Sequence, residues 1–570
     1  MPQDVVFRLE PGRDPERLTA EELQKLAAQT LGVSDSEIAE ARLQRTSFDA
    51  RAKYMNWRVV ARTWRAAEKI PPPPRTTPYP PPVAAADAPR VAVIGSGPAG
   101  LFCALELLRG GVRPIVLERG PDAQTRRRAI ALLNRGEGTD PESNYAFGEG
   151  GAGTYSDGKL HTRSGKRGEV DAVLRELVAH GAPPRILWAW RPHIGSNLLP
   201  EVIQALRETI RGAGGEVRFG ARADEILVAD GRACGVRLQN GEEIAADAVV
   251  LAAGHSATDA LRMAQRAGAR LNPKGFAIGV RAEHPQAWLD AIQYHGMKEQ
   301  AGLPPSFYEL VGRSAEHAVY SFCMCPGGWI VPSQAQPGTL VVNGMSLSQR
   351  DSPYANSGVV VEIHPKDWCG KRGWRWGWTD LLKRAAKLSQ HPLLHEGEVA
   401  QGRMPQQPED DPLFGVRLQV AMEVVAHHAG GGSGKAPAMR CDRFVNEQEA
   451  EEFDLLPTSY LPGLAAADFN ALLPKGLAQR LRDGIREFGR ILPGYDGPHG
   501  QIVGVETRTS SPVRIPRDEE TREAEGLPGL YPAGEGAGYA GGIVSAALDG
   551  IAAARAVAAT VRPTAPATRA

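Results

Sequence analysis

Apolar residues recur along this chain at two spacings, and the switches between them divide it. Val5 to Leu9 alternate as in a strand. Leu23, Leu26, Ala27 and Leu31 share one face of a helix, and Thr19 with Glu22 three residues later makes a capping box at its start. Ile38 to Phe48 and Tyr54 to Thr63 alternate again, as two strands around a turn near Asp49. A βαββ module is expected. It is closed by IPPPPRTTPYPPP at 70–82, which admits only a stiff, extended connection.

At 91–120 the pattern becomes an apolar strand (Val91 to Ile94), a glycine turn, a helix from Pro98 to about Arg109, and a second strand ending in Glu118. Gly95, Gly97 and Gly100 form G-x-G-x-x-G. The first glycine permits the tight turn, the second lets a pyrophosphate approach the backbone, and the third lets helix and strand pack closely. The helix start directs unpaired N–H groups at that phosphate. Glu118, with Arg119 beside it, is placed to hydrogen-bond a ribose. Taken alone, this unit predicts a dinucleotide site without choosing between NAD and FAD.

NYAFGEGGAGTYSDGKLHTR at 144–163 is too rich in Gly, Ser and Thr to pack well, and suits close backbone approach to a ligand. Helices are expected at 169–180 and 198–211, then a meander of strands over 216–254 that ends in Ala248 to Ala252 and Gly254. From 262 to 500, strand-like runs (Phe276 to Ala282, Ala318 to Met324, Thr339 to Met345, Val359 to Ile363) alternate with helical ones (Trp378 to Gln390, Leu477 to Phe488). A mixed antiparallel domain, inserted between halves of the first, is expected there. WCGKRGWRWGW at 368–378 is expected to be a loop folded on its own tryptophans. HHAGGGSGK at 427–435 is expected to be a flexible connection, because Ala436 follows Lys435 where a phosphate loop has Ser or Thr. GLYPAGEGAGYAGGIVSAALDGIAAARAVA at 529–558 gives a strand, a glycine turn and a long helix of small residues.

Composition changes this picture little. Lys+Arg and Asp+Glu are both 66, and the resulting zero formal charge argues against a global electrostatic grip on nucleic acid or membrane. The start of the chain lacks the apolar core of a signal peptide, and no uninterrupted apolar run approaches about 20 residues. Six cysteines without paired C-x-x-C motifs suggest neither a disulfide scaffold nor zinc. A cytoplasmic protein without a membrane span is expected, its oligomeric state open. One local exception is Arg51, Lys53, Arg58, Arg62, Arg65 and Lys69, interleaved with Tyr54, Trp57 and Trp64: a nucleic-acid or protein contact face, or a solvated edge.

The opening glycine motif with Glu118, the Ala252-Ala253-Gly254 strand end and the final PAGEGAG turn together resemble FAD-dependent oxidoreductases of the glutathione-reductase-like type. RTSFDAR (45–51), FGEGGAGTYSDGKLHTR (147–163), PHIG (192–195), EHPQ (283–286), FCMCPGG (322–328), NGMS (343–346) and TRTSSPVRIPRD (507–518) resemble more closely one bacterial family, the FAD-utilising dehydrogenases of largely unknown substrate. The resemblance covers 1–560. It implies an α/β fold: a Rossmann-like FAD-binding domain with a parallel sheet, an inserted α+β substrate domain and a small N-terminal α+β domain. The expected boundaries are 1–70 for the small domain, 71–89 for the Pro-rich linker, 90–261 and 501–560 for the two parts of the FAD-binding domain, 262–500 for the insert and 561–570 for a disordered tail. It also implies FAD as cofactor and a redox role.

On this reading Gly95, Gly97, Pro98, Ala99 and Gly100 lie on the pyrophosphate, and Glu118 and Arg119 flank the adenosine ribose. Gly150, Gly151, Gly153 and Thr154 line the flavin ring. Gly254 lies near the cofactor at its strand end, and Gly534, Glu535, Gly541, Gly542 and Ile543 follow the ribityl chain and pyrimidine edge. Glu535 stands where the superfamily usually has Asp. No metal is expected. His161, His193, His255 and His284 each sit beside a motif and titrate near neutrality. Glu149, Asp157 and Lys159 share the glycine loop and can orient substrate or bind main-chain N–H groups. Arg508 and Arg514 can hold a carboxylate or phosphate. The catalytic candidates are His161, His255 and Arg508. Cys323 and Cys325, at i and i+2, face one side of a strand; the parallel Cβ vectors of an extended strand suit a disulfide poorly, so buried small residues are expected, with a redox pair that relays electrons from flavin as the alternative. A second G-x-G-x-x-G is absent, so NAD(P)H or another electron carrier enters through a pocket without that motif, or electrons come from elsewhere. The expected function is hydride transfer between flavin N5 and a small organic substrate. The alternative is a non-redox FAD-fold binding protein, or a flavin-containing nucleic-acid or protein-binding module that uses the basic N-terminal stretch.

Overall fold

The computed structural model describes residues 2–50, 55–73, 75–77, 80–161, 170–296, 303–400 and 403–561. Arg51, Lys53 and Tyr54 of the basic stretch, Thr162 and Arg163 of the glycine loop, and the expected tail from 562 onward lie outside the described residues.

The N-terminal elements are the strand Gln3–Leu9, the helix Ala20–Leu31 and the strands Ile38–Asp49 and Asn56–Arg65. The last strand runs between the other two, antiparallel to both. Thr19 and Glu22 form the capping box, and Leu23 and Ala27 turn inward onto Phe7 and Val59.

Five parallel strands build the sheet that the glycine motifs announce. Their order is Leu530–Pro532, Ala248–Leu251, Arg90–Ile94, Arg113–Leu117 and Glu216–Arg218. One rung crosses the whole sheet: Pro532 pairs with Leu251, Leu251 with Ile94, Ile94 with Leu117, and Leu117 with Arg218. The glycine motif at Gly95, Glu118 and Ala252-Ala253-Gly254 each begin one residue past that rung and PAGEGAG begins on it, so register alone gathers them at the carboxyl edge. Open parallel sheets bind ligands at that edge.

The helix Ile543–Val561 is, among the described residues, the one long and apolar enough to cross a membrane by length and composition. Its small residues instead pack against the helix Pro98–Arg109. A Cβ on Gly550 would overlap the Ala99 carbonyl oxygen, so only glycine permits this approach.

The second large sheet has seven strands, in the order Val311–Ser314, His317–Cys325, Tyr354–Ile363, Phe276–Pro285, Gln501–Glu506, Ala436–Arg440 and Leu464–Ala466. All pairs are antiparallel except the last. The strand Gln501–Glu506 lies between Phe276–Pro285 and Ala436–Arg440. The return to the parallel sheet therefore comes later than the expected 501, because this buried apolar strand completes the insert. WCGKRGWRWGW is not a loop. It forms the helix Gly370–Trp376 and the start of Trp378–Leu388, with Trp368, Trp376 and Trp378 buried and Trp374 exposed. Indole stacking between Trp376 and Trp378 adds to apolar burial there. HHAGGGSGK is the end of the helix Phe414–Ala429, a glycine turn, and the lead into the strand Ala436–Arg440.

Candidate functional site

Gly95 and Gly100 are glycines because the protein itself leaves no room. A Cβ on Gly95 would meet the Ala252 carbonyl oxygen, and one on Gly100 would overlap the Gly95 carbonyl oxygen. Gly97 is different. Its backbone, at φ −71° and ψ −177°, suits any residue, and a Cβ there would meet no atom within 4 Å. The fold does not require glycine at 97, and the space beside it is open. Gly97 is also the N-cap of the helix Pro98–Arg109, with no side chain on the first free N–H groups, which leaves them for an anion.

The glycine loop faces that opening. A Cβ on Gly151 would come 3.3 Å from Gly97 Cα, and one on Gly153 would lie 3.4 Å from Ile543 Cγ1 and 3.6 Å from Pro98 Cγ. The expected cofactor residues Gly97, Pro98, Gly151, Gly153 and Ile543 thus converge. Gly150 is left-handed at φ +78°, and Thr154 is buried with its hydroxyl donating to the Glu149 carbonyl at 2.7 Å. Ala99 is buried under Gly534 and Gly550. Gly254, Gly541 and Gly542 are exposed, with no protein atom near a built Cβ.

A residue without a sequence motif holds this loop. Arg126 is fully buried, and its guanidinium donates to the Asn144, Glu149 and Gly151 carbonyls at 2.8 to 2.9 Å. Its Nη2 has no protein partner, and burial pulls the group down to about 10. A buried donor left unpaired is costly and suits an anionic ligand. The sequence did carry a signal: Ala123, Arg126, Ile130 and Leu133 form the buried face of one helix, and arginine is foreign to such a face.

Glu118 ends its strand as expected, and its carboxylate is organised by the loops themselves. It accepts from the Ser96 N–H and hydroxyl at 3.0 and 2.7 Å, and from the Gly120 and Gly148 N–H groups at 3.0 Å. Arg119 pairs with Glu142 at 2.6 Å and Asp259 at 3.1 Å, over the Phe147 ring. Glu149 accepts from Ala123 N–H at 2.8 Å and pairs with Arg207 at 2.9 Å, so it braces the helix start rather than a substrate.

Glu535 is partly buried at the far wall. Burial pushes its carboxyl above the usual range, Cys323 adds to this, and His255 and Lys274 oppose it. That electrostatic neighbourhood joins the last motif to the insert. Lys159 Nζ lies 3.6 Å from Cys323 Sγ, 3.3 Å from Cys325 Sγ and 3.3 Å from Asp157 Oδ2. Asp157 is buried, bonded to the Ser346 hydroxyl and to Arg350 Nη2 at 2.8 Å. Burial works against its ionisation, but Lys159 and Arg350 hold its carboxyl below the usual range.

The cysteines depart from a regular strand. Phe322 pairs with Gly358 and Cys325 with Asn356, so one residue is extra, and Cys323 takes φ +46°. A non-glycine residue in that region costs on the order of 1 kcal/mol or more. The bulge turns both sulfurs onto Lys159. Behind it Arg281 Nη1 reaches the Cys323 carbonyl at 3.5 Å, while Nε and Nη2 bind Glu506 at 2.7 and 2.9 Å.

The catalytic candidates separate. His255 is half-buried, and its charge acts on the Glu535 carboxyl. His161 is exposed at the edge of the described loop. Arg508 is not free to fork a substrate: Glu423 takes its guanidinium at 2.6 and 2.9 Å. Arg514 donates to the Gly538 carbonyl at 3.3 Å and lies over Tyr539. His193 is held by the Ser348 carbonyl at 3.3 Å, and His284 by the Tyr495 carbonyl at 2.9 Å in the core.

Comparison with known proteins agrees with this geometry. The model described as "FAD-dependent protein, C-terminal domain-like" matches residues 275–376 and 396–509, "FAD dependent oxidoreductase" matches 198–309, and "FAD binding domain" matches 89–136. An uncharacterised protein of Clostridium beijerinckii is 38% identical over 464 residues, 81% of this chain and 79% of the relative. The chain belongs to this family of FAD-dependent proteins. FAD is its cofactor, and the open space at Gly97, the uncapped helix start and the unpaired Arg126 Nη2 fit its pyrophosphate. Hydroxyneurosporene desaturase of Rubrivivax gelatinosus is 44% identical over 61 residues, 11% of each chain. Among solved structures, CtdE in complex with FAD is 12% identical, covers 83% of this chain and 84% of its own, and has a TM-score of 0.30.

Proposed function

We infer that this FAD-dependent oxidoreductase passes hydride between flavin N5 and a small organic substrate held under the seven-stranded sheet. The observation that carries this reading is the contact of Lys159, in the glycine loop, with Cys323 and Cys325 of the insert at 3.6 and 3.3 Å, which sets reactive groups of the insert against the loop that faces Gly97. When bound, FAD supplies the two-electron chemistry, and the protein supplies binding, orientation and proton handling. Gly97 and the N–H groups after Pro98 hold the pyrophosphate, Arg126 adds one charged donor, and Glu118 with Arg119 organises the adenosine end. His255 carries the proton. Lys159 and Lys274 offer positive charge to an anionic substrate.

The glutathione-reductase-like assignment rests on the same motif order. Local charge pairing weighs against the binding-module alternative at two positions of the basic stretch: Arg62 pairs with Asp4 and Arg65 with Glu37. The test is an anaerobic screen of metabolites and NAD(P)H against purified yellow protein, following flavin absorbance. Bleaching by an organic donor is the expected result. Bound FAD that no donor reduces, together with salt-sensitive RNA binding, would overturn the reading.

A further inference from the structure

Outside the pyrophosphate cradle, Lys159, Cys323 and Cys325 bring three reactive side chains together. All six cysteines are free thiols, and these two are set apart by geometry. The bulge at Cys323 removes the parallel arrangement of an extended strand. One ammonium contacts both sulfurs, at 3.6 Å from Cys323 Sγ and 3.3 Å from Cys325 Sγ. Cys323 is partly exposed, whereas Cys325 is buried and also donates to the Cys323 carbonyl at 3.3 Å. An accessible sulfur with a buried partner beside a fixed cation is the arrangement of an attacking and a resolving thiol. Charge supports the same division. The bond from Cys325 and the charge of Lys159 hold the Cys323 thiol well below its usual range against burial, and Cys325 is displaced upward.

We propose that Cys323 and Cys325 are a redox-active dithiol that exchanges electrons with disulfide substrates, Cys323 attacking and Cys325 resolving. The Cys323 thiolate attacks one sulfur of RS–SR. The RS–SR bond breaks, a Cys323–SR bond forms, and RS⁻ leaves and takes a proton from water. Cys325 then loses its proton and attacks Cys323 Sγ, the Cys323–SR bond breaks, and the second RS⁻ leaves and is protonated. Two protein thiols have lost two electrons and two protons, and RSSR has become two RSH. Restoring the dithiol takes two electrons and two protons. In the cell this rests on the FAD-dependent reading, because the organic hydride donor must supply them; in vitro dithiothreitol does.

The test equilibrates the full-length FAD-loaded protein in anaerobic glutathione buffers of rising disulfide content, followed by acid quench, alkylation and peptide mapping. A Cys323–Cys325 disulfide should accumulate while Cys103, Cys234, Cys369 and Cys441 stay reduced. Cys325→Ser should instead retain one glutathione on Cys323. Lys159→Met should slow alkylation of Cys323 near neutral pH by tenfold or more, and Lys159→Arg should restore most of that rate. The wild-type titration alone decides if a variant fails to fold. Two free thiols across the whole buffer range would overturn the proposal and leave the FAD reading intact. A disulfide that forms in protein unable to retain FAD would support the dithiol and remove the FAD reading.

Discussion

Arg281 and Glu506 meet side by side on neighbouring strands, their nitrogens and oxygens 2.7 and 2.9 Å apart and both side chains out of water. Gly344 and Gly358 make the room: a Cβ on the first would strike the guanidinium, and one on the second would crowd the carboxylate. Asn356 Oδ1 accepts from Arg281 Nη1 at 2.7 Å. Removing one partner strands a charge in the core. Glu506→Gln should therefore lose about 3–5 kcal/mol of stability in urea unfolding. Arg281→Met combined with Glu506→Leu should lose less than either single change. A loss below about 1 kcal/mol for Glu506→Gln, the range of an exposed pair, would mean that the pair is not isolated from water.

Gly97→Val separates folding from cofactor binding. The backbone accepts valine and no protein atom opposes its Cβ, so thermal unfolding of the apo protein should be nearly unchanged. The side chain would occupy the pyrophosphate space, and the protein should purify colourless. Gly100→Ala should fail differently, with loss of soluble protein, because the new methyl collides with the Gly95 carbonyl. Yellow, fully loaded Gly97→Val protein would refute the cofactor placement.

Acid should destabilise the fold in a defined window. His284 lies in the core, stacked on Trp288, and burial pulls it down to about 4 from 6.5. Between those values the unfolded chain binds a proton that the fold rejects, so stability rises with pH through the window and falls as pH drops. The shift corresponds to about 3 kcal/mol at most. His193, also brought down to about 4 by burial, acts in the same direction. Urea unfolding from neutral to acid pH checks this: His284→Phe should flatten the slope, and an unchanged slope would assign the acid sensitivity elsewhere.

The parallel sheet and its glycine turns were legible because each motif is local: strand, turn and helix follow one another within a few residues. The Cys323 arrangement was not. Period-two reasoning assumes a regular strand, and one inserted residue changes which way the sulfurs point. The stretch at 368–378, expected as a loop folded on its own tryptophans, is helical, and Gly373 lets the helix pass close to the Trp368 carbonyl. The boundary expected at 501 falls before Gln501–Glu506, which pairs within the seven-stranded sheet, because an apolar strand does not announce its partners. Arg508 looked available because its carboxylate partner, Glu423, lies far away in sequence and carries no motif.

The packing of the helix Ile543–Val561 on the helix Pro98–Arg109 also sets an order of events. Gly550 sits on Ala99, and Arg555 pairs with Glu106 across 449 residues of sequence. The chain is synthesised from the other end, so the first glycine turn emerges long before its covering helix exists. Tight FAD capture therefore belongs after synthesis of the whole insert. A nascent or prematurely terminated chain would present a parallel sheet with one edge strand and its cover missing.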